Sequence, residues 1–342
     1  MKVLLVSPLA VPINPRTTYS GIERLVWVYS GELLAQGQEV AVVGHRDSVF
    51  PEGVEHLKAE PMADFSASEI RAYQTFQYKL RSYDVIHDFS HLHLASRTND
   101  NLPSLNIFWH APALAKYPKA PYNIIAPSQW AAREFKRIYH QEARAMRCIA
   151  IDPALYHPDD GQGSGRFLAI GRNDPEKGNL NAVNLCRQLG LPLDIIAARG
   201  LQHGLNEPLS DYEKLVRDSC DGKDICFLGD VSEFPKIALM QRAKALLYIT
   251  DHPEVTSHKD QEAMCCGCPV ICTAIGAAIE VVEHGITGFL GLTFKNYEQA
   301  IADLDSLDRA ECSRVTTERW NKTAIVKAWL PLYQAVANGE RW

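Results

Sequence analysis

Between Ala245 and Ile271 the chain reads ALLYITDHPEVTSHKDQEAMCCGCPVI, and this stretch leaves few folds open. Leu246-Leu247-Tyr248-Ile249 is a short apolar run without alternation, the pattern of a strand buried on both faces, as in a parallel sheet. Asp251, His252 and Pro253 break it. Thr256 and Ser257 are good helix N-caps, so a helix is expected to start there. It should end at Cys266, with Gly267 as C-terminal cap and Pro269 stopping any continuation. Val270-Ile271-Cys272 is then the next buried strand. A strand, a short helix and a strand in such close order imply an α/β chain with parallel sheets.

Two carboxylates sit in this unit with seven residues between them. Glu254 lies in the loop at the carboxyl end of the first strand, where open parallel sheets bind ligands. Glu262 falls roughly a turn and a half into the helix and can point back toward the same crevice. Between them the helix N-terminus presents unpaired N–H groups that favour an anion such as a diphosphate. A carboxylate accepts two hydrogen bonds at once, which suits the vicinal diol of a ribose or hexose. On spacing alone the pair is also what two surface glutamates of an ordinary βα unit would give.

Pro253-Glu254, the Glu-x7-Glu pair, Glu262-Ala263-Met264 and Gly267-Cys268-Pro269-Val270 together resemble the nucleotide-sugar signature of the retaining family 4 glycosyltransferases. The resemblance implies two Rossmann-like domains facing a cleft, the GT-B architecture, with this signature in the second. It implies that Glu254 touches the donor sugar and Glu262 the donor ribose. Where the family usually has a Phe-Gly pair and apolar residues, this chain has Val255, Thr256, Ser257, His258, Lys259, Asp260 and Gln261. The segment Gly171-Arg172 with Glu176-Lys177-Gly178 matches the family closely. Independently of that match, two cations after a first strand can neutralise a diphosphate leaving group. Tyr19-Ser20-Gly21-Ile22-Glu23-Arg24 resembles the glycine loop over the donor phosphates, with Ser20 in place of the first glycine. His110, after the apolar run Leu105–Trp109, matches a histidine the family places near the reacting sugar; a hydrogen-bonded structural histidine is the other reading. Val231 follows Gly229-Asp230, where the family loop lies against the base.

The chain has 342 residues, more than single cores of about 250–300 usually reach, so two domains are expected. The expected division is 1–152 for the acceptor domain, 153–165 for a linker rich in Pro and Gly, and 166–324 for the donor domain. Residues from about 325 to 342 should form a helix that crosses back to the first domain. A net charge of −6 argues against nucleic acid as a partner. Residues 1–150 hold 16 Lys+Arg against 14 Asp+Glu, and the remainder 19 against 27, so the first half is the better face for an anionic acceptor or membrane surface. Nine cysteines without a secreted-domain framework point to a reducing, cytoplasmic setting, with peripheral contact to a membrane left open. Val3 to Leu9 reads as a first strand, not a signal peptide, and no apolar run is long enough to span a bilayer.

Two apparent metal motifs are weak. Cys265 and Cys268 form a lone C-x-x-C with no second pair, and His91-x-His93 beside Asp88 lacks a further spaced cluster. Strand-loop-helix-strand order at 2–43 is Rossmann-like but lacks G-x-G-x-x-G, which argues against a dinucleotide. Strands are also expected at 84–88, 105–109, 122–127 and 148–151, and a helix over 66–83.

These readings lead to a metal-independent, retaining glycosyltransferase that needs no cofactor. Its donor would be a UDP- or GDP-sugar and its acceptor a glycan, lipid or small molecule. His110, Arg172, Lys177 and Glu254 are the expected catalytic residues. Ser20, Gly21, Gly171, Arg172, Lys177, Val231, Glu254, Val255, Thr256, Ser257 and Glu262 would hold the donor. Two rival readings are a GT-B nucleotide-sugar epimerase or hydrolase, and a nucleotide-sugar-binding protein without turnover.

Overall fold

The fold is taken from a computed structural model that describes residues 1–13, 20–109, 121–161, 163–199 and 209–342. The chain divides into two units, residues 1–150 with 320–342, and residues 151–319.

In the first unit seven parallel strands follow the order β3-β2-β1-β4-β5-β6-β7. They are β1 (Lys2–Val6), β2 (Glu39–His45), β3 (Glu55–Ala59), β4 (Val85–Asp88), β5 (Ser104–Ile107), β6 (Ile124–Ala126) and β7 (Arg144–Ala145). The central strands are apolar on both faces: Val3, Leu4 and Leu5 have no exposure, nor do Val85 and Ile86. That burial is why they read as runs instead of alternating.

The sequence did not announce β3, whose EHLKA carries Glu55 and Lys58; it pairs in parallel with β2 at the sheet edge, where charge is tolerated. The strand expected at 148–151 is instead the two-residue β7, and Cys148 to Ile151 is buried coil with a single bridge residue. The helix expected over 66–83 is an α-helix, Phe65–Phe76, that tightens into a 3-10 segment, Gln77–Ser82. Tyr73 and Phe76 pack on the core, whereas Tyr78 is exposed.

The last helix, Lys322–Ala337, belongs to this first unit and packs on the helix Gly21–Ala35. Trp329 stacks on His87 with ring centroids 4.5 Å apart, and the Tyr333 hydroxyl lies 2.6 Å from His87 Nδ1. Burial holds His87 well below the usual imidazole range, so it is neutral.

The second unit holds six parallel strands in the order β10-β9-β8-β11-β12-β13. These are β8 (Phe167–Arg172), β9 (Leu193–Ala198), β10 (Ile225–Gly229), β11 (Leu246–Tyr248), β12 (Val270–Thr273) and β13 (Gly288–Gly291). The chain order reverses between β8 and β11, so the carboxyl ends of these two strands flank a topological switch point, where ligands bind in such sheets. The helix between β11 and β12 is His258–Cys265, with Ser257 as its N-cap residue. It closes with a Schellman motif. Gly267 takes φ +72°, its N–H donates to Met264 O at 2.9 Å, and Cys268 N–H donates to Ala263 O at 2.9 Å.

Candidate active site

The switch point brings two loops together. After β8 a 3-10 turn, Pro175–Lys177, ends at Gly178 with φ +68°. A Cβ there would stand 1.9 Å from Ile249 O, so only glycine lets this turn lie against the end of β11. Thr250 fastens the two, donating from Oγ1 to Glu176 O at 2.6 Å. Gly171 serves the same approach from the strand side, because a Cβ on it would meet Lys177 Cβ at 2.9 Å. The loop after β11 is held from behind by Gly276, where a Cβ would come within 2.8 Å of Glu254 N and O, and Ala277 N–H donates to Glu254 O at 2.9 Å.

This packing sets Lys177 Nζ directly on Glu254 Oε1. Glu254 Oε2 has a second cation, Lys259 Nζ, at 3.8 Å. Lys259 in turn lies 3.1 Å from the centroid of the Tyr248 ring and donates to Ser257 Oγ at 2.9 Å. Burial pushes the Glu254 pKa up, but Lys259 and Lys177 outweigh it and bring the carboxyl down to about 2. Glu254 is therefore ionised at every physiological pH. Asp260, wholly buried and 3.8 Å from Lys259 Nζ, is raised by burial. Beside Lys177, Arg172 makes its own ion pairs, to Asp174 at 3.0 Å and to Glu176 at 3.5 Å. Glu254, Thr256, Ser257 and Asp260 line a small crevice with Thr250 and His252.

Glu262 sits apart from this group, although it lies on the same helix. It is 6% exposed, and its Oε2 accepts from Lys236 Nζ at 2.8 Å while Oε1 accepts from the Tyr156 hydroxyl at 3.0 Å. Lys236 also pairs with Glu233 Oε1 at 3.0 Å, and Tyr156 donates to that same carboxylate. Two acids, one lysine and one phenol thus form a buried cluster, with Glu233 and Lys236 supplied by the helix Glu233–Arg242. Val231 lies in the turn just before that helix. The two carboxylates expected to act as a pair thus stand in separate clusters, Glu254 with Lys177 and Lys259, and Glu262 with Lys236 and Tyr156.

The matching family model is that of the glycosyl transferases group 1, over residues 162–325. The human Alpha-1,3/1,6-mannosyltransferase ALG2 is 33% identical over 196 residues, which cover 49% of this chain and 45% of that protein. Residues 162–325, just under half of the chain, thus match a group 1 glycosyltransferase domain. The chain spans about half the length of the curated relatives it matches, 45% of the human protein and 54% of its mouse counterpart. Among solved structures, AviGT4, a glycosyltransferase involved in avilamycin A biosynthesis, superposes with a TM-score of 0.75 at 21% identity, covering 100% of this chain and 99% of that one. Anabaena Alr3699/HepE in complex with UDP-glucose gives a TM-score of 0.74 at 17% identity, covering 98% and 100%. At these identities the likeness establishes fold, and the fold is GT-B, two parallel-sheet α/β domains.

The group 1 domain spans nearly all of the second unit, which holds Gly171, Arg172, Lys177, Val231, Glu254, Val255, Thr256, Ser257 and Glu262. Ser20 and Gly21 belong to the first unit, at the start of the helix Gly21–Ala35. Ser20 is its N-cap residue, yet its side chain makes no capping bond, and the buried Oγ has no hydrogen-bond partner among the described residues. His110 lies outside the described residues.

The weak metal motifs stay unsupported by geometry. Among the described residues no three His, Cys, Asp or Glu side chains converge as a metal site. Cys265 and Cys268 are buried thiols whose pKa burial pushes up to about 12. No helix among the described residues is long and apolar enough to cross a membrane.

Sequence reasoning missed Lys259, Lys236, Glu233 and Tyr156. The first had a readable signal, a lysine five residues after Glu254 where the family usually carries apolar residues. The other three lie 26 to 106 residues away from Glu262 in sequence, and no spacing rule links them.

Proposed function

We propose that the protein is a retaining, family 4 type glycosyltransferase that takes a hexose from a nucleoside diphosphate sugar. The observation that carries this reading is the lysine at the switch point: Lys177, seated on Glu254 and flanked by Arg172, beside the N-terminus of the helix His258–Cys265. That grouping supplies positive potential for a diphosphate without a metal ion. It also supplies an ionised carboxylate, Glu254, to accept hydrogen bonds from sugar hydroxyls.

In this reading the diphosphate lies against the end of the helix and draws Lys177 and Arg172 toward its oxygens. As the glycosidic bond breaks, negative charge grows on the leaving diphosphate, and the two cations stabilise it. The acceptor hydroxyl attacks from the face the diphosphate leaves, and the diphosphate helps take its proton, so the anomeric configuration is retained. Glu254 orients the sugar and Glu262 the ribose. On the family resemblance, Ser20 and Gly21 are assigned to the donor phosphates and His110 to the reacting sugar. Val231 borders the base. The human relative is a mannosyltransferase and the Anabaena structure holds UDP-glucose, so GDP- and UDP-linked hexoses are the donors to try first.

The test is a thermal-shift series with UDP, GDP and NAD, followed by product analysis with UDP-glucose and GDP-mannose. A larger shift with UDP or GDP than with NAD is expected, because a ligand of the folded state raises its stability in proportion to RT ln(1 + [L]/Kd). A larger shift with NAD would sink the reading. Release of a free epimer or free sugar without any acceptor would point to the epimerase or hydrolase chemistry instead.

A further inference from the structure

We infer that Lys259 is a standby counter-ion: it keeps Glu254 paired when the donor diphosphate draws Lys177 away. The inference rests on the nucleotide-sugar reading above. Lys177 is asked to do two things that conflict. It is seated on Glu254, and it must turn to the diphosphate when donor binds. Glu254 is only 17% exposed, so losing its one close cation would leave a poorly solvated carboxylate at a cost that opposes donor binding.

Lys259 answers that conflict by where it stands. Its Nζ is 3.8 Å from the Glu254 oxygen opposite the one that Lys177 holds. It does not depend on Glu254 for its place, because the Tyr248 ring lies 3.1 Å away and Ser257 Oγ accepts from it at 2.9 Å. The buried Asp260 carboxyl also lies 3.8 Å from it. A cation held by three neighbours besides Glu254 remains when Lys177 moves. The segment expected to be apolar on family resemblance thus holds a fixed charge. Lys259 is a positioning residue: it acts on the donor through Glu254 and Lys177.

The test is calorimetric binding of UDP and of GDP to the full chain, carrying Lys259→Met, Lys259→Gln or Lys259→Arg, each with and without Glu254→Gln. Melting curves confirm that each variant is folded. With Lys177 retained by Glu254 in most molecules, Lys259→Met and Lys259→Gln should weaken nucleoside diphosphate binding about tenfold or more. Lys259→Arg keeps the charge and should stay within about threefold of the parent. In the Glu254→Gln background there is no carboxylate to pair, so the loss from Lys259→Met should shrink to less than about twofold. No loss in either background, or the same loss in both, overturns the inference and leaves the nucleotide reading standing. A parent chain that binds neither UDP nor GDP overturns both.

Discussion

Glu254, half-buried, and Glu69, buried, both lie beside parallel sheets, one in each unit, and their acidities lie at opposite ends. Glu254 is held at about 2 and Glu69 is raised to about 8. Burial acts on both in the same direction. The difference is the partners. Glu254 has two lysines, whereas Glu69, among the described residues, accepts two backbone N–H bonds, from His91 at 3.0 Å and Leu92 at 2.8 Å, with Asp88 and Glu23 adding like charge. Glu23, also buried, is raised to about 7. Hydrogen-bond donors without net charge do not offset desolvation here; ammonium groups do. Glu254 keeps its charge in the crevice of the second unit, whereas Glu69 and Glu23 in the first hold their protons to higher pH.

The largest effect that could break this comparison is alkaline. Glu69 binds a proton in the folded chain up to about pH 8, while an unfolded glutamate releases it near 4.5. Between those values the folded state holds the extra proton, so stability falls as pH rises through that window and levels off above it. At about 1.4 kcal/mol per pKa unit the cost reaches several kcal/mol. Denaturant titrations from pH 5 to 9 should show this decline, and Glu69→Gln should flatten it. A slope unchanged by the substitution would show that Glu69 is not the group responsible.

Next is Lys177→Ala, which removes a cation that faces growing charge. We expect kcat to fall about 10²–10³-fold, comparable to losing one oxyanion-hole donor. Arg172→Ala should behave alike, and the double variant should fall short of the product because both act on one diphosphate. An effect confined to donor KM would reverse the assigned role. At acid pH the sign opposite to Glu69 is expected for Glu254. Its depressed pKa contributes stability that is complete above about 4.5 and is lost as pH falls toward 2, on the order of 3 kcal/mol in all. Glu254→Gln should remove that acid-side slope in melts between pH 5 and 2.5.

The smallest change concerns Glu262. Its proposed contact is to the ribose, which does not react, so Glu262→Ala should raise donor KM about tenfold with kcat little altered. Because Lys236 keeps Glu233 at 3.0 Å, the lysine is not stranded and the variant should fold. Loss of kcat without change in KM would place Glu262 among the catalytic groups instead.

Much of the fold was legible because parallel strands buried on both faces leave unbroken apolar runs. LLYI and VICT could be read directly, as could Gly267 in the left-handed cap that ends the helix between them. EHLKA could not, because an edge strand carries charge and looks like a loop. Residues 148–151 misled for the converse reason: they are apolar because they are buried, but they make only one bridge.

What the sequence determined by itself was local: strand ends, caps, the Glu-x7-Glu spacing of Glu254 and Glu262, and the glycines at 171 and 178 that permit close approach. Such features depend on dihedral preferences and on neighbours a few residues away. Tertiary structure alone decided which charges meet. Lys177 and Glu254 are 77 residues apart, and Tyr156 and Glu262 are 106 apart. Their pairing follows from strand order at the switch point, and the Coulomb energy that sets their ionisation depends on distance and burial, neither of which is written in spacing along the chain.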